Sequence, residues 1–231
     1  MRTEEEQIAA IKDWWKENGI KLVAAIVVAA VGYFGYQGWQ DKVEQESHAA
    51  SDLYLELQGA IVSSASVQGS VSEIDLQRIQ QVGVIADRLQ NEYSDNGYAV
   101  LGAISAARAA ADRDDYIEAI TRLEWALEAD NDSSTQQLVT HRIAVAKAAL
   151  GETDEALRLL SGEDEHFAAV YAESRGDIYR QIGDTEAAKT QYELAIESLL
   201  PEQFNYAPSL EFKLNDVSVG LSALSSKAAA Q

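Results

Sequence analysis

No cysteine occurs among the 231 residues, which excludes disulfides, thiolate metal sites, cysteine nucleophiles and a lipid-bearing cysteine anchor. Proline is nearly as scarce, present only at Pro201 and Pro208. Ala, Leu and Glu are abundant, so a chain this poor in helix breakers is expected to be all-α. Basic residues are also few: beyond residue 40 there are 14 Lys or Arg against 33 Asp or Glu, a formal −19. Nucleic acid and anionic lipid are bound through basic patches, so neither suits this surface. The three histidines, His48, His141 and His166, have no further ligand at helical spacing. Neither a phosphate-cradling glycine loop nor a nucleophile elbow is present. Asp130-Asn131-Asp132 opens like a calcium loop, but position 135 is not the turn glycine and His141 replaces the closing Glu. No catalytic, cofactor or metal residues are expected, and an enzyme is not indicated.

What the chain does have is one long uncharged run. Leu22 to Gln40 contains no charged side chain and as a helix would measure about 28 Å, the thickness of a bilayer core. It reads as a single transmembrane helix. Arg2, Lys12, Lys16 and Lys21 precede it, and only Lys42 follows within twenty residues. Basic flanks stay cytoplasmic, so the N-terminus is expected inside and residues 41–231 outside. Tyr33, Phe34, Tyr36 and Trp39 suit an aromatic belt at the outer headgroup level. Val28-Ala29-Ala30 has the small residues of a signal-peptide cleavage site, but cleavage there would leave a short apolar core behind a 21-residue head. Ala25, Ala29, Gly32 and Gly35 set small residues where another membrane helix can approach closely, although Ala and Gly are also simply common in spans.

The organisation expected is a cytoplasmic amphipathic head over 1–21, the span over 22–40, a helical-repeat domain over 41–217 and a loose tail over 218–231. In the head, Thr3 and Glu6 have capping-box spacing and Gly19 is expected to end the helix. Residues 41–64 and a helix from Ser72 are expected to pair, with a break at 63–70 and a turn at 94–97. From there the chain repeats itself. Ala119, Ala156 and Ala188 lie 37 and 32 residues apart, bracketing the roughly 34-residue tetratricopeptide period. Twelve residues before these anchors stand Ala107, Ala144 and Gly176, small where paired helices touch. Four after them stand Leu123, Leu160 and Tyr192, large where the next repeat needs filling. The first repeat is lengthened at 130–135, and the second is cut short by Ser161-Gly162. A last helix near Pro208 is expected to seal the array through Leu210, Leu214 and Val217.

The first helix of each repeat lines the concave face of such arrays. Offsets 18, 15 and 11 before the anchors give Leu101, Ile104 and Arg108, then Leu138, His141 and Val145, then Val170, Glu173 and Asp177. This groove is expected to bind an extended or helical peptide, or else to be covered by the chain's own helices. With apolar contact dominating, binding is expected to be mostly insensitive to salt.

The acidic head, the segment KDWWKENGIKL before the span, Trp39 at its exit and VYAESRGDIYRQIGDTEAAKTQYELAI in the third repeat together resemble the YfgM family. The resemblance covers nearly the whole chain. It implies an inner-membrane protein, single-pass, ancillary to the SecYEG translocon, whose periplasmic domain helps pass exported polypeptides to chaperones. A PpiD-like membrane-anchored chaperone is the further partner implied. Without that resemblance, the residues fit equally a tetratricopeptide scaffold for an envelope assembly machine, or a stress-response regulator acting through its cytoplasmic head.

Overall fold

The computed structural model describes residues 4–65, 73–130, 132–162 and 166–229. Thr3, residues 66–72 of the expected break and second-helix start, Asn131 and the acidic run 163–165 lie outside the described residues. The described residues form nine α-helices and one short 3-10 helix, with no strand among them. They fall into two compact units, residues 1–51 and 52–231.

The first unit is carried by α1, Glu4–Ala65. Gly19 does not end a head helix as expected; α1 runs straight through it. The reason is local. A Cβ at Gly19 would stand 3.1 Å from Trp15 Cε2, so the glycine leaves room for the indole one turn back. It is followed by helix formers and apolar residues rather than by a stop. Val23, Ile26, Val27, Val28, Val31, Tyr33, Phe34 and Trp39 are all exposed. This stretch is long and apolar enough to cross a membrane. Ala25, Ala29, Gly32 and Gly35 lie on it, and Cβ atoms at Gly32 and Gly35 would meet nothing within 4 Å.

The second unit is a stack of helix hairpins. After α2, Glu73–Glu92, come α3, Gly97–Ala111, and α4, Tyr116–Ala129, the first repeat. The second repeat is α5, Ser133–Ala149, with the short α6, Thr153–Leu159. The third is α7, Ala168–Gln181, with α8, Thr185–Glu197. A 3-10 helix, Pro201–Tyr206, leads into α9, Ala207–Ala229, so helix continues through 218–229. The end of α1 packs on α3: Gln58 Nε2 donates to Ser105 Oγ at 3.1 Å, and the Tyr54 and Tyr98 rings lie 5.7 Å apart.

The repeat register is visible in the core. Ala119, Ala156 and Ala188 are buried, as are Ala107, Ala144 and Gly176 before them and Leu123, Leu160 and Tyr192 after them. The hairpin turns share one device. Five residues before each anchor the backbone enters the left-handed region, at Asp114 (φ 61), Gly151 (φ 84) and Gly183 (φ 84). One residue later comes the helix cap, Asp115, Glu152 or Asp184. Asp115 and Asp184 accept from Glu118 N and Ala187 N, satisfying an orphan amide of the second helix. Residues 133–135, expected in a loop, are helical. Asp132 caps α5 by accepting from Thr135 N at 2.9 Å, so Ser133 onward is already helical. The truncation at Ser161-Gly162 is as expected, and it leaves α6 with 7 residues.

Candidate functional site

The first helices of the three repeats are α3, α5 and α7, and the nine offset positions fall into three environments. At the α3–α5 seam, Arg108, His141 and Val145 line one cavity of about 270 Å³, together with Tyr116, Arg142, Ala107, Ala119 and Leu123. Its floor is apolar, and its charges are the two arginines. Leu101 and Val145 are exposed (48% and 46%), whereas Ile104 is buried at 8% among Val100, Ala107 and Leu123 in the core. Leu138 is half-buried. Val170 and Glu173 line a second cavity of about 240 Å³ with Tyr206 and Leu210, residues of the C-terminal segment. Asp177 lies beside them and is held by α9.

The seam between α5 and α7 is a polar clasp. The His141 Nε2 and Ser174 Oγ atoms are 2.7 Å apart, and the imidazole stacks on Tyr171 at 5.9 Å. Tyr171 donates its hydroxyl hydrogen to the Gln137 carbonyl at 3.0 Å. Burial, and secondarily the Arg142 charge, holds the His141 pKa below the ordinary 6.5. His141 therefore joins two repeats as a neutral ring as well as lining the cavity.

The third seam is bridged by the chain itself. Lys213 Nζ on α9 reaches Glu173 Oε1 at 2.7 Å and Asp177 Oδ2 at 2.6 Å. Burial works against this ammonium, but hydrogen bonds to Asp177 and Glu173 carry its pKa above the usual lysine value. Asp177 also accepts from the Tyr192 hydroxyl at 2.8 Å. Burial first, then that carboxylate, raises the Tyr192 pKa far above its usual value, so the phenol stays a donor.

Two residues outside the chosen offsets belong to this face. Arg142 and Ser174 both sit fourteen before an anchor; one lines the cavity and the other holds His141. The signal that marks Arg142 is scarcity, since only 18 Lys and Arg are spread over 231 residues and two of them meet at one seam. Among the described residues no group of three or more His, Asp or Glu is placed to hold a metal ion.

Residues 12–219 match the model of a tetratricopeptide repeat-like domain family. Three curated relatives each bear the name ancillary SecYEG translocon subunit. The one from Aggregatibacter actinomycetemcomitans is 30% identical over 196 residues, covering 84% of this chain and 89% of the relative. That from Haemophilus influenzae is 29% identical over the same shares. That from Escherichia coli K12 is 23% identical over 94% of this chain and 97% of its own length. One apolar helix fit to cross a membrane, three hairpins in tetratricopeptide register and relatives matched over most of both lengths agree: the chain belongs to the YfgM family of ancillary SecYEG translocon subunits.

Proposed function

We propose that the protein is a membrane-tethered binding module of the Sec translocon, a non-catalytic subunit that helps pass exported polypeptides to periplasmic chaperones. The apolar part of α1 spans the inner membrane with the N-terminus cytoplasmic, and the repeat domain works in the periplasm. The four-to-one excess of Lys and Arg before the span over those after it supports that orientation. The translocon is SecYEG, and a PpiD-like membrane-anchored chaperone is the second partner. Exported chains are held at the concave face, where Leu101, Leu138, Arg108, His141, Val145 and Val170 lie, and Ala25, Ala29, Gly32 and Gly35 offer the span a packing face toward a membrane helix.

The observation that carries this reading is the contrast between seams. Both seams keep a cavity, but the third is crossed by Lys213 and walled by Tyr206 and Leu210 of the chain's own C-terminal segment, while the α3–α5 cavity is bordered by the exposed side chain of Val145. A photo-crosslinking residue at Val145 or Leu101, in the full chain in cells, tests it. Crosslinks to SecYEG subunits, to PpiD or to exported chains in transit are expected. A C-terminal reporter active only in the cytoplasm, or crosslinks to none of these, overturns it.

A further inference from the structure

Corresponding seams of the repeat stack carry opposite electrostatics. Between α7 and α9, the carboxylates of Glu173 and Asp177 meet Lys213 of the next helix. Between α3 and α5, the residue at the offset of Asp177 is Arg108, and the next helix presents Arg142, a second positive charge. The two guanidinium groups sense each other: burial first, and then the Arg108 charge, lowers the Arg142 pKa. Among the described residues Arg142 has neither a hydrogen bond nor an ion pair. Arg108 has only Asp112, 4.0 Å away, with both side chains largely exposed.

Acid is not in short supply in this molecule, which has 38 Asp and Glu for 18 Lys and Arg. Arg122, by contrast, is held by Asp87 at 3.1 Å and by Glu118. A half-buried arginine that faces another arginine and has no carboxylate of its own does not stabilise the fold through its charge. It does fit a ligand. Guanidinium forks bind carboxylates bidentately, and an arriving carboxylate would replace repulsion by two charge-assisted pairs. Directly beside the pair, Ala107, Leu123 and Val145 offer an apolar floor.

We propose that the α3–α5 seam recognises an acidic side chain of a partner polypeptide, held between Arg108 and Arg142, with an apolar neighbour from the same segment on the floor. This deepens the reading above and rests on its claim that the concave face binds polypeptides. Charge complementarity selects the occupant. The surrounding domain is strongly acidic and repels polyanions at a distance, so a segment must bring apolar surface as well as a carboxylate to stay. The chain's own C-terminal cap shows the arrangement with signs reversed. On α9, Lys213 enters its acidic seam beside Leu210 and Leu214, one buried and one half-buried. The mirrored pattern is a helical segment with Leu and Glu three residues apart.

The test uses the full chain in detergent micelles and fluorescein-labelled, acetylated and amidated alanine-based helical peptides carrying Leu and Glu three residues apart. Fluorescence anisotropy should show the Glu peptide binding about ten- to a hundredfold tighter than its Gln counterpart, the range of a charge-assisted hydrogen bond. Arg142→Gln should remove that advantage, and so should Arg108→Gln, whose exposed side chain makes misfolding no explanation. Replacing the peptide's Leu by Ala should also weaken binding. In contrast to the salt-insensitive binding expected from the apolar groove positions alone, affinity should fall steadily between about 50 and about 300 mM salt. Equal binding of the Glu and Gln peptides, or indifference to both arginine substitutions, overturns the proposal. Full displacement of the Glu peptide by inorganic phosphate at the same carboxylate concentration also overturns it, leaving a simple anion site. Crosslinks from Val145 that persist in Arg142→Gln would then show that the wider reading stands although this one has failed.

Discussion

Gly176 lies directly beneath the ring of Tyr192. A Cβ at 176 would stand 2.6 Å from Tyr192 Cε1 and 2.7 Å from Cδ1, closer than side chains pack. The ring cannot move away, because it is fully buried and its hydroxyl is tied to Asp177. Lys213, 5.9 Å from the ring centroid, adds a cation over the same ring. The closest joint of the third repeat is thus directly below its link to α9.

Gly176→Ala should therefore destabilise the domain by about 1–3 kcal/mol, the usual cost of overpacking. Gly102→Ala provides the comparison. Its Cβ would meet Leu89 Cδ1 at 2.7 Å, but that atom is the far end of a flexible side chain. The loss at 102 should be the smaller of the two. Thermal melts of the full chain in detergent rank them, and the reverse order would contradict the packing described.

The turn device predicts its own pattern. Gly151→Ala and Gly183→Ala place a Cβ on left-handed backbone and should each cost about 1–2 kcal/mol. Asp114 already bears that strain with φ 61. Asp114→Gly should stabilise the first hairpin by roughly 0.5–1 kcal/mol, because the Tyr116 hydroxyl contact that it loses is exposed to water. Chemical denaturation of the three variants checks the signs.

Much of this was legible beforehand. The anchor spacing placed Ala107, Ala144 and Gly176 against the second helices because small residues repeat wherever two helix axes must approach. The charge-free run from Leu22 stood out by length alone. Gly19 is not legible in this way, because glycine commonly ends helices through left-handed backbone and here stays helical and makes room for Trp15. Ile104, expected either to line the groove or to be covered by the chain's own helices, turns into the first core cluster, and Glu173 at the same offset is buried as well. Arg142 lies outside the three offsets that the repeat pattern singles out. Its charge is scarce in this chain, but only its position opposite Arg108 gives it meaning.

The clasp at His141 makes stability pH-dependent. Its folded pKa is lowered, chiefly by burial and then by Arg142. Below the ordinary value of 6.5, the unfolded chain takes up a proton before the folded one does. The contribution is thus fully present above about pH 6.5 and is lost as pH falls toward the depressed folded value. His141→Gln keeps a hydrogen-bonding side chain near Ser174 but has no titration. Melting temperatures measured from about pH 7.5 down to about pH 5.5, about one unit either side of the ordinary histidine pKa, should fall less steeply in the variant. Parallel slopes would mean that other groups carry the acid sensitivity.

Binding and folding are separable on the α3–α5 face. Leu101 and Ile104 are one turn apart on α3, yet one is 48% exposed and the other 8%. Ile104 packs with Val100, Ala107 and Leu123, so Ile104→Asp would leave an unpaired charge in the core and should lower the melting temperature sharply. Leu101→Asp and Val145→Asp change exposed positions and should shift stability by no more than about 0.5 kcal/mol. If partner polypeptides dock on this face, the two exposed variants should lose crosslinking or peptide binding while melting normally. Carboxylates there would also compete for Arg108 and Arg142, so Val145→Asp, on the cavity wall itself, should be the more damaging of the two. Normal melting together with unchanged binding in both variants would place the docking surface elsewhere on the domain.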